Sequence, residues 1–212
     1  MRSVRHEVPG ASRELHLVLL SGGFIHAEDF VREGFLDRLR ERGIACPVTI
    51  GEVRMAYFAD GTIPARVGEL VEAARAGGAR RTWVAGISLG GLAALAHAAR
   101  DREGIAGLAL LSPYPGTRLV LREIDAAGGL AAWAAAIAPT DLEREAWHWL
   151  AARPPGRPPV HAWYGSGDRF VDGQRRLAVA LSGENVHEIA GGHDWPDWRE
   201  MWKRFLDTDS LR

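Results

Sequence analysis

Residues 81–97 read Arg81-Thr-Trp-Val-Ala-Gly86-Ile-Ser88-Leu-Gly90-Gly91-Leu-Ala-Ala-Leu-Ala-His97, and this segment is the most informative one about the fold. Its first part, residues 82–85, is a short apolar run that favours a strand. Residues 89–100 are rich in alanine and leucine, which have high helix propensity. Between them, Gly86-x-Ser88-x-Gly90 predicts a sharp turn on which small neighbours let the strand and the helix pass close to the serine backbone. Ser88 should therefore stand exposed at the carboxyl edge of a sheet, beside the free N–H groups of a helix start.

The length and composition are typical of one domain with an ordinary core. The chain has 212 residues, of which 47% are hydrophobic and 25% charged. A net charge of −1 gives no indication of a nucleic acid or an anionic membrane as partner. Cys46 is the only cysteine, so no internal disulfide can form. With no apolar segment at the N-terminus and no apolar run near the roughly 20 residues of a membrane helix, we predict a cytoplasmic protein without membrane contact.

Strand-like and helix-like stretches alternate along the chain. The apolar runs predict strands at residues 15–20, 45–50, 82–85, 105–111, 160–165 and 185–190. The amphipathic stretches predict helices at residues 28–42, 64–76, 89–100, 172–181 and 195–206. This alternation predicts an α/β fold in which helices flank both faces of a mostly parallel sheet, as a single domain over residues 1–212. Ligands of such sheets bind at the carboxyl ends of the strands.

Residues 117–157 interrupt the alternation. They contain no strand candidate, and residues 117–152 are rich in alanine with three tryptophans. We interpret the segment as a short helical lid inserted after a strand, where it would cover the site. Tryptophans at helical spacing more often anchor such an insertion to the core than bind a substrate.

Asp168 and His193 each follow a predicted strand, as Ser88 does. A serine hydroxyl becomes a good nucleophile when a neutral histidine takes its proton, and a carboxylate must hold that histidine. Taken singly, an aspartate in a glycine turn or a histidine at a helix start is ordinary loop chemistry. Three such residues in the order Ser88, Asp168, His193, each at a strand end, favour a catalytic set. Asp194 is the alternative partner for His193, but adjacent side chains rarely face each other.

These motifs resemble those of the α/β-hydrolase fold family. The matching stretches are Gly86-Ile-Ser88-Leu-Gly90, Gly165-Ser-Gly-Asp168 and Gly191-Gly-His193, and the resemblance covers nearly the whole chain. It implies an oxyanion hole formed by the N–H of Leu89 and by that of Gly23 or Phe24, in the loop after the first predicted strand. Many relatives carry His-Gly in that loop, where this chain has Ser21-Gly22.

The resulting hypothesis is a serine hydrolase that cleaves a small-molecule ester or thioester through an acyl-enzyme, with no cofactor and no metal. His26 and Tyr114 are candidate substrate contacts, although a solvated loop histidine is the simpler interpretation of His26 and an ordinary turn also explains Tyr114. Acyl transfer and C–C bond hydrolysis on the same three residues remain alternatives. So do a non-catalytic binding protein of the same fold and, with less support, a peptidase.

Overall fold

The sheet is the centre of the computed structural model, which describes residues 1–152 and 154–212. The strands of the described ranges are β1 Ser3–His6, β2 Leu15–Leu20, β3 Val48–Gly51, β4 Arg81–Ile87, β5 Ile105–Leu111, β6 Val160–Gly165 and β7 Asn185–Ile189. They form one seven-stranded sheet in the order β1-β3-β2-β4-β5-β6-β7. All neighbouring strands pair in parallel except β1, which runs antiparallel to β3 at the edge.

Helices cover both faces of this sheet. They are α1 Ala27–Arg32, α2 Phe35–Glu41, α3 Met55–Ala59, α4 Ile63–Ala76, α5 Leu89–Arg100, α6 Arg118–Ala126, α7 Leu130–Ala136, α8 Leu142–Ala152, α9 Val171–Ala180 and α10 Trp195–Leu206. One apolar core packs α4 to α9 against the sheet, and the other packs α1, α2 and α10 against its opposite face. The predicted fold class, a mostly parallel sheet between two helical layers, is therefore confirmed. None of the helices described is long and apolar enough to cross a membrane.

Apolar residues on both faces place β2, β4 and β5 in the middle of the sheet. Leu17, Val18 and Leu19 of β2 are buried on both sides, as a strand between two helical layers requires. The register aligns Leu20 with Gly86, so β2 and β4 end together at one edge. The sheet thereby carries the loops after these strands to one side of the molecule.

The structure divides the predicted helix over residues 28–42 into α1 and α2. Gly34 adopts a left-handed conformation, with φ 78°, which ends one helix and starts the next. The turn brings the rings of Phe30 and Phe35 into an edge-to-face contact at 5.1 Å between centroids. The same apolar stripe is buried, but by two short helices that wrap around the sheet edge.

Other differences lie at the ends of elements. The strand predicted over residues 45–50 begins at Val48, because Pro47 has no N–H to donate to a ladder. The sequence analysis did not predict β1 or α3, which are short and lack a clear period. The strand β1 pairs with β3, and α3 follows β3 in the chain.

The segment over residues 117–157 forms α6, α7 and α8. Trp133 and Trp147 are fully buried in the core beneath α5 and the sheet, so they anchor the segment. The described part of this segment contributes no residue to the pocket at Ser88, although α6 borders the pocket next to it. Arg153, also within the predicted lid, lies outside the described residues. A covering role for the segment stays a prediction.

Candidate active site

Five loops meet at the carboxyl edge of the sheet. They follow β2, β4, β5, β6 and β7, and they carry Gly22 to Ile25, Ser88, Tyr114, Asp168 and His193. Parallel strands that end at one edge place residues distant in sequence side by side. Ser88 and His193 are 105 positions apart in the chain and in hydrogen-bond contact in space.

Ser88 lies on a strained turn between β4 and α5. Its backbone has φ 50° and ψ −114°, a conformation that side-chain-bearing residues rarely adopt. A Cβ on Gly86 would lie 2.3 Å from the carbonyl of Gly90, and a Cβ on Gly90 would lie 2.3 Å from the carbonyl oxygen of Leu20. Both glycines are therefore required by close backbone approach. The interpretation of Gly86-x-Ser88-x-Gly90 as a turn with no room for side chains agrees with this packing.

Backbone hydrogen bonds hold the turn in place. The Ser88 N–H donates to the carbonyl of Leu111 at 3.0 Å, and the Tyr114 N–H donates to the carbonyl of Ser88 at 2.9 Å. Both bonds tie the turn to the end of β5 and to the loop that follows it. A strained backbone conformation that is maintained by surrounding hydrogen bonds is typical of a functional position.

A chain of hydrogen bonds joins Ser88, His193 and Asp168. The Oγ of Ser88 lies 2.9 Å from Nε2 of His193, and Nδ1 of the same ring lies 2.7 Å from Oδ2 of Asp168. The His193 side chain is 7% exposed and that of Asp168 is fully buried. This geometry allows the Ser88 hydroxyl proton to pass to Nε2 while the carboxylate fixes the opposite side of the ring.

Asp168 stays ionised inside the protein. Burial alone would raise its pKa, but hydrogen bonds from His193, from the Gln174 amide at 2.9 Å and from the Phe170 N–H at 2.8 Å outweigh burial. The pKa of Asp168 is therefore lowered below its usual value. A carboxylate that keeps its charge at neutral pH can stabilise a histidine that becomes positively charged.

Glycine packing fixes the loop that carries His193. A Cβ on Gly165 would lie 2.4 Å from the carbonyl oxygen of Gly191, so the loops after β6 and β7 touch backbone to backbone. The carboxylate of Asp197 accepts the Gly192 N–H at 2.8 Å. Asp194 instead caps α10, accepting the Trp195 N–H at 2.7 Å, which agrees with the preference for Asp168 as the histidine's partner.

Three backbone N–H groups near Ser88 are free to bind a ligand. Within the described residues, the N–H groups of Gly23, Phe24 and Leu89 donate no hydrogen bond. The loop with Gly23 and Phe24 lies over the serine, because a Cβ on Gly22 would be 3.4 Å from the Cβ of Ser88. Phe24 has φ 64°, so this loop too is held in a left-handed conformation.

A pocket of about 220 Å³ opens above Ser88. Tyr114 lines it, as predicted, and packs edge-on against Phe170 at 5.1 Å between ring centroids. His26 does not line it. His26 lies at the start of α1, and its side chain is 65% exposed. It lines a different pocket beside the one at Ser88, where its Nδ1 lies 3.5 Å from Oε1 of Glu52.

Gln174 and Phe170 were not among the residues predicted for the site. Gln174 is fully buried and also donates to the carbonyl of Pro113 at 3.2 Å, and the rings of Phe170 and Trp198 meet His193 edge-on at 5.1 and 5.3 Å between centroids. One signal for Gln174 was available, since it is a polar residue in the apolar stripe of α9. Phe170 sits at an ordinary loop position and gives no such signal.

Solved structures share this fold. The fluorophosphonate-binding serine hydrolase FphF of Staphylococcus aureus matches at TM-score 0.73 and 15% identity, over 100% of this chain and 98% of its own. The S-formylglutathione hydrolase FrmB of the same organism matches at TM-score 0.63 and 16% identity, over 93% and 81%. A carboxylesterase of Nitrososphaera gargenis matches at TM-score 0.65 and 16% identity, over 99% and 94%. No curated protein sequence matches the chain significantly.

Fold and site together define a hydrolase with the α/β-hydrolase architecture. The match to one family model extends over residues 52–204 and so includes Ser88, Asp168 and His193. The chain belongs to this family, which is described as "Putative esterase". Ester hydrolysis by a serine hydrolase is therefore its general activity.

Proposed function

We propose that the protein hydrolyses a carboxylic ester or thioester of a small molecule through Ser88, His193 and Asp168. The observation that carries this proposal is the pair of hydrogen bonds, 2.9 Å from Ser88 to His193 and 2.7 Å from His193 to Asp168. All three groups lie at strand ends, beside a pocket that reaches the serine.

The first half of the reaction forms an acyl-enzyme. The neutral His193 ring donates its Nδ1–H to Asp168 and accepts the Ser88 proton at Nε2, while the serine oxygen attacks the carbonyl carbon. The carbonyl oxygen becomes an oxyanion as its double bond opens. When that bond re-forms, the carbon–leaving-group bond breaks and His193 returns its proton to the departing alkoxide or thiolate.

The second half uses water. His193 takes a proton from a water molecule, whose oxygen attacks the acyl carbon, and the collapsing intermediate releases the carboxylic acid and returns the proton to Ser88. Asp168 keeps its negative charge throughout and stabilises the charged ring. Its lowered pKa supports this role.

The oxyanion accepts hydrogen bonds from the N–H of Leu89 and from that of Gly23 or Phe24 in this proposal. The support is that the described residues supply these N–H groups with no other acceptor. Donors that already point at the developing charge need no rearrangement during the reaction, and losing one such donor typically costs about 10²–10³ in rate.

The decisive experiment is the intact mass of the protein after incubation with a fluorophosphonate. We expect one adduct on the wild type and none on Ser88→Ala or His193→Ala. Ser166→Ala is the matched control, because Ser166 is an exposed serine two positions from Asp168 and should leave the adduct intact. Ester turnover should fall by about 10⁴-fold or more in Ser88→Ala. A folded wild type without an adduct would refute the proposal.

Analysis of the reaction products separates hydrolysis from acyl transfer and from peptide cleavage. An added alcohol acceptor should leave the free acid as the main product, whereas a transferase would produce the new ester. Ester turnover with no cleavage of a peptide library would exclude the peptidase alternative. We also retain, as proposals, the cytoplasmic location and the covering role of residues 117–157.

A further inference from the structure

Another pocket, larger than the one at Ser88 and distinct from the one at His26, lies directly beside Ser88's pocket. Its volume is about 550 Å³, and it lies between the loop after β5, α6 and the start of α9. Tyr114, Arg169 and Phe170 line both pockets, so the two adjoin. A molecule whose carbonyl lies at Ser88 can therefore extend into the larger pocket.

The walls of this pocket are closely packed. A Cβ on Gly173 at the start of α9 would lie 2.4 Å from the ring of Pro115 and 2.9 Å from Leu121 of α6. The side chain and N–H of Thr117 both donate to Glu143, at 2.8 and 2.9 Å, which ties the start of α6 to α8. These contacts fix the backbone segments from which the charged side chains of the pocket extend.

Arginines dominate the charge of the pocket. Arg118, Arg122, Arg169 and Arg176 line it, against the two carboxylates of Asp125 and Asp172. Arg176 is neutralised, because its guanidinium donates to both oxygens of Asp125 at 2.9 and 2.7 Å.

The other three arginines have no acidic partner. In the part of the chain that the structure describes, the side chains of Arg118, Arg122 and Arg169 form no ion pair or hydrogen bond, and the Arg169 guanidinium only stacks over the Phe170 ring at 5.0 Å. Most other arginines of this chain do form ion pairs, including those at positions 2, 32, 38, 40, 42, 75, 100, 144, 157, 175, 199 and 204. Three unpaired guanidinium groups converge on a pocket that leads to Ser88.

Sequence spacing explains the convergence. Arg118 and Arg122 are four residues apart on α6 and therefore lie on the same face of the helix. Arg169 follows Asp168 in the loop after β6, so the residue that orients His193 is adjacent to a residue of the cation cluster. Guanidinium groups bind carboxylates and phosphates through paired, charge-assisted hydrogen bonds.

We infer that the substrates are esters or thioesters that carry an anionic group, a carboxylate or a phosphate, which binds among Arg118, Arg122 and Arg169. This inference rests on the proposed function and names its substrate class. The anionic group can belong to the acyl group or to the leaving group, because both are attached to the carbonyl that reacts at Ser88.

The test compares matched esters that differ in one charge. On the acyl side, mono-4-nitrophenyl glutarate is compared with its methyl-capped diester. On the leaving-group side, 4-acetoxybenzoate is compared with its methyl ester, and 4-acetoxyphenyl phosphate with its dimethyl ester. Each kcat/KM is divided by the second-order rate constant for hydroxide-promoted hydrolysis of the same ester, so that intrinsic carbonyl reactivity cancels. The spontaneous rate is not suitable, because the free carboxylate of the glutarate monoester attacks its own ester.

We expect the charged ester of at least one pair to be preferred by about tenfold, the size of effect that a few exposed charge pairs produce. The preference should fall towards one in the double variant Arg118→Gln/Arg122→Gln, which keeps a good helix former at both positions. It should rise in Asp125→Asn, which releases Arg176. Arg13→Gln, an exposed and unpaired arginine of the described chain outside this pocket, is the control and should leave the preference unchanged. High salt should weaken the preference.

Equal turnover of both esters in all three pairs, unmoved by the arginine variants, would overturn the inference while leaving ester hydrolysis intact. A second readout does not depend on turnover. The Ser88→Ala protein should bind the charged esters more tightly than the capped ones in titration calorimetry, and equal affinities would also contradict the inference. Loss of the fluorophosphonate adduct, by contrast, would count against the proposed function and not against the anion site.

Discussion

Replacing Gly86 by alanine tests whether close packing of two backbones positions Ser88. The added Cβ would lie 2.3 Å from both C and O of Gly90 and 2.5 Å from the nitrogen of Gly91. Carbon atoms in contact normally stand about 3.5–4.0 Å apart, so α5 must move by roughly 1 Å or more relative to β4. No flexible side chain can absorb the clash, because all three neighbouring atoms belong to the backbone.

This displacement sets the expected losses in stability and in catalytic rate. Overpacking of a rigid site costs typically about 1–3 kcal/mol in the free energy of unfolding. Ser88 lies between the two elements that separate, and its hydrogen bond to His193 depends on their spacing. A misplacement of about 1 Å at a reacting group costs about 10²-fold in rate. We therefore expect kcat/KM for a neutral ester to fall by about two orders of magnitude in Gly86→Ala.

The assay pairs this variant with Gly68→Ala. Gly68 lies inside α4, and a Cβ there would make only an ordinary contact of 3.4 Å with His97. Alanine is a better helix former than glycine by about 1 kcal/mol, so this control should be as stable as the wild type or more stable, with unchanged kcat/KM. Thermal unfolding and ester turnover are measured on both proteins. A fully active and fully stable Gly86→Ala protein would refute the packing argument.

Further predictions concern buried groups. Gln174→Leu removes a hydrogen bond to the ionised Asp168, worth about 1.5–3 kcal/mol, and should lower kcat/KM by about ten- to a hundredfold; unchanged turnover would mean that the carboxylate is held without the amide. Burial lowers the pKa of His16 from 6.5 to about 4, so the unfolded chain takes up a proton first as the pH falls. The free energy of unfolding should therefore decrease by about 3 kcal/mol between pH 6.5 and 4, and His16→Gln should flatten that slope in denaturant titrations. Trp133→Ala empties a fully buried site and should cost about 3–5 kcal/mol in the same titrations, whereas a loss below 1 kcal/mol would contradict its role as an anchor.

The amino-acid sequence was sufficient for the fold class and for most of the elements. The apolar runs at residues 15–20, 105–111 and 160–165 became strands with those same bounds, and residues 89–100 became α5. Strands buried on both faces leave a continuous apolar pattern, which is a local property of the chain. The break at Gly34 was not predictable, because a glycine inside an amphipathic stretch is compatible with either one helix or two.

The candidate site, like the fold, could be predicted from the sequence only in part. Ser88, Asp168 and His193 were recognisable because each follows a strand and stands among glycines, a signal that lies within a few residues of sequence. Gln174 was not recognised, because its importance comes from a contact with Asp168 across a loop. The choice between Asp168 and Asp194 as partner of His193 was argued from adjacency, but only the folded chain supplies the 2.7 Å contact.

A mostly parallel α/β sheet with three polar residues at its strand ends could be predicted without coordinates, since period, glycine placement and chain order are encoded locally. Which surfaces meet became known from the folded chain alone. It packed the tryptophans of residues 117–157 into the core, placed His26 beside a neighbouring pocket, and brought Arg118 and Arg122 of α6 next to Arg169. The physical reason is that these contacts depend on the crossing and spacing of whole helices against the sheet, which no short stretch of sequence specifies.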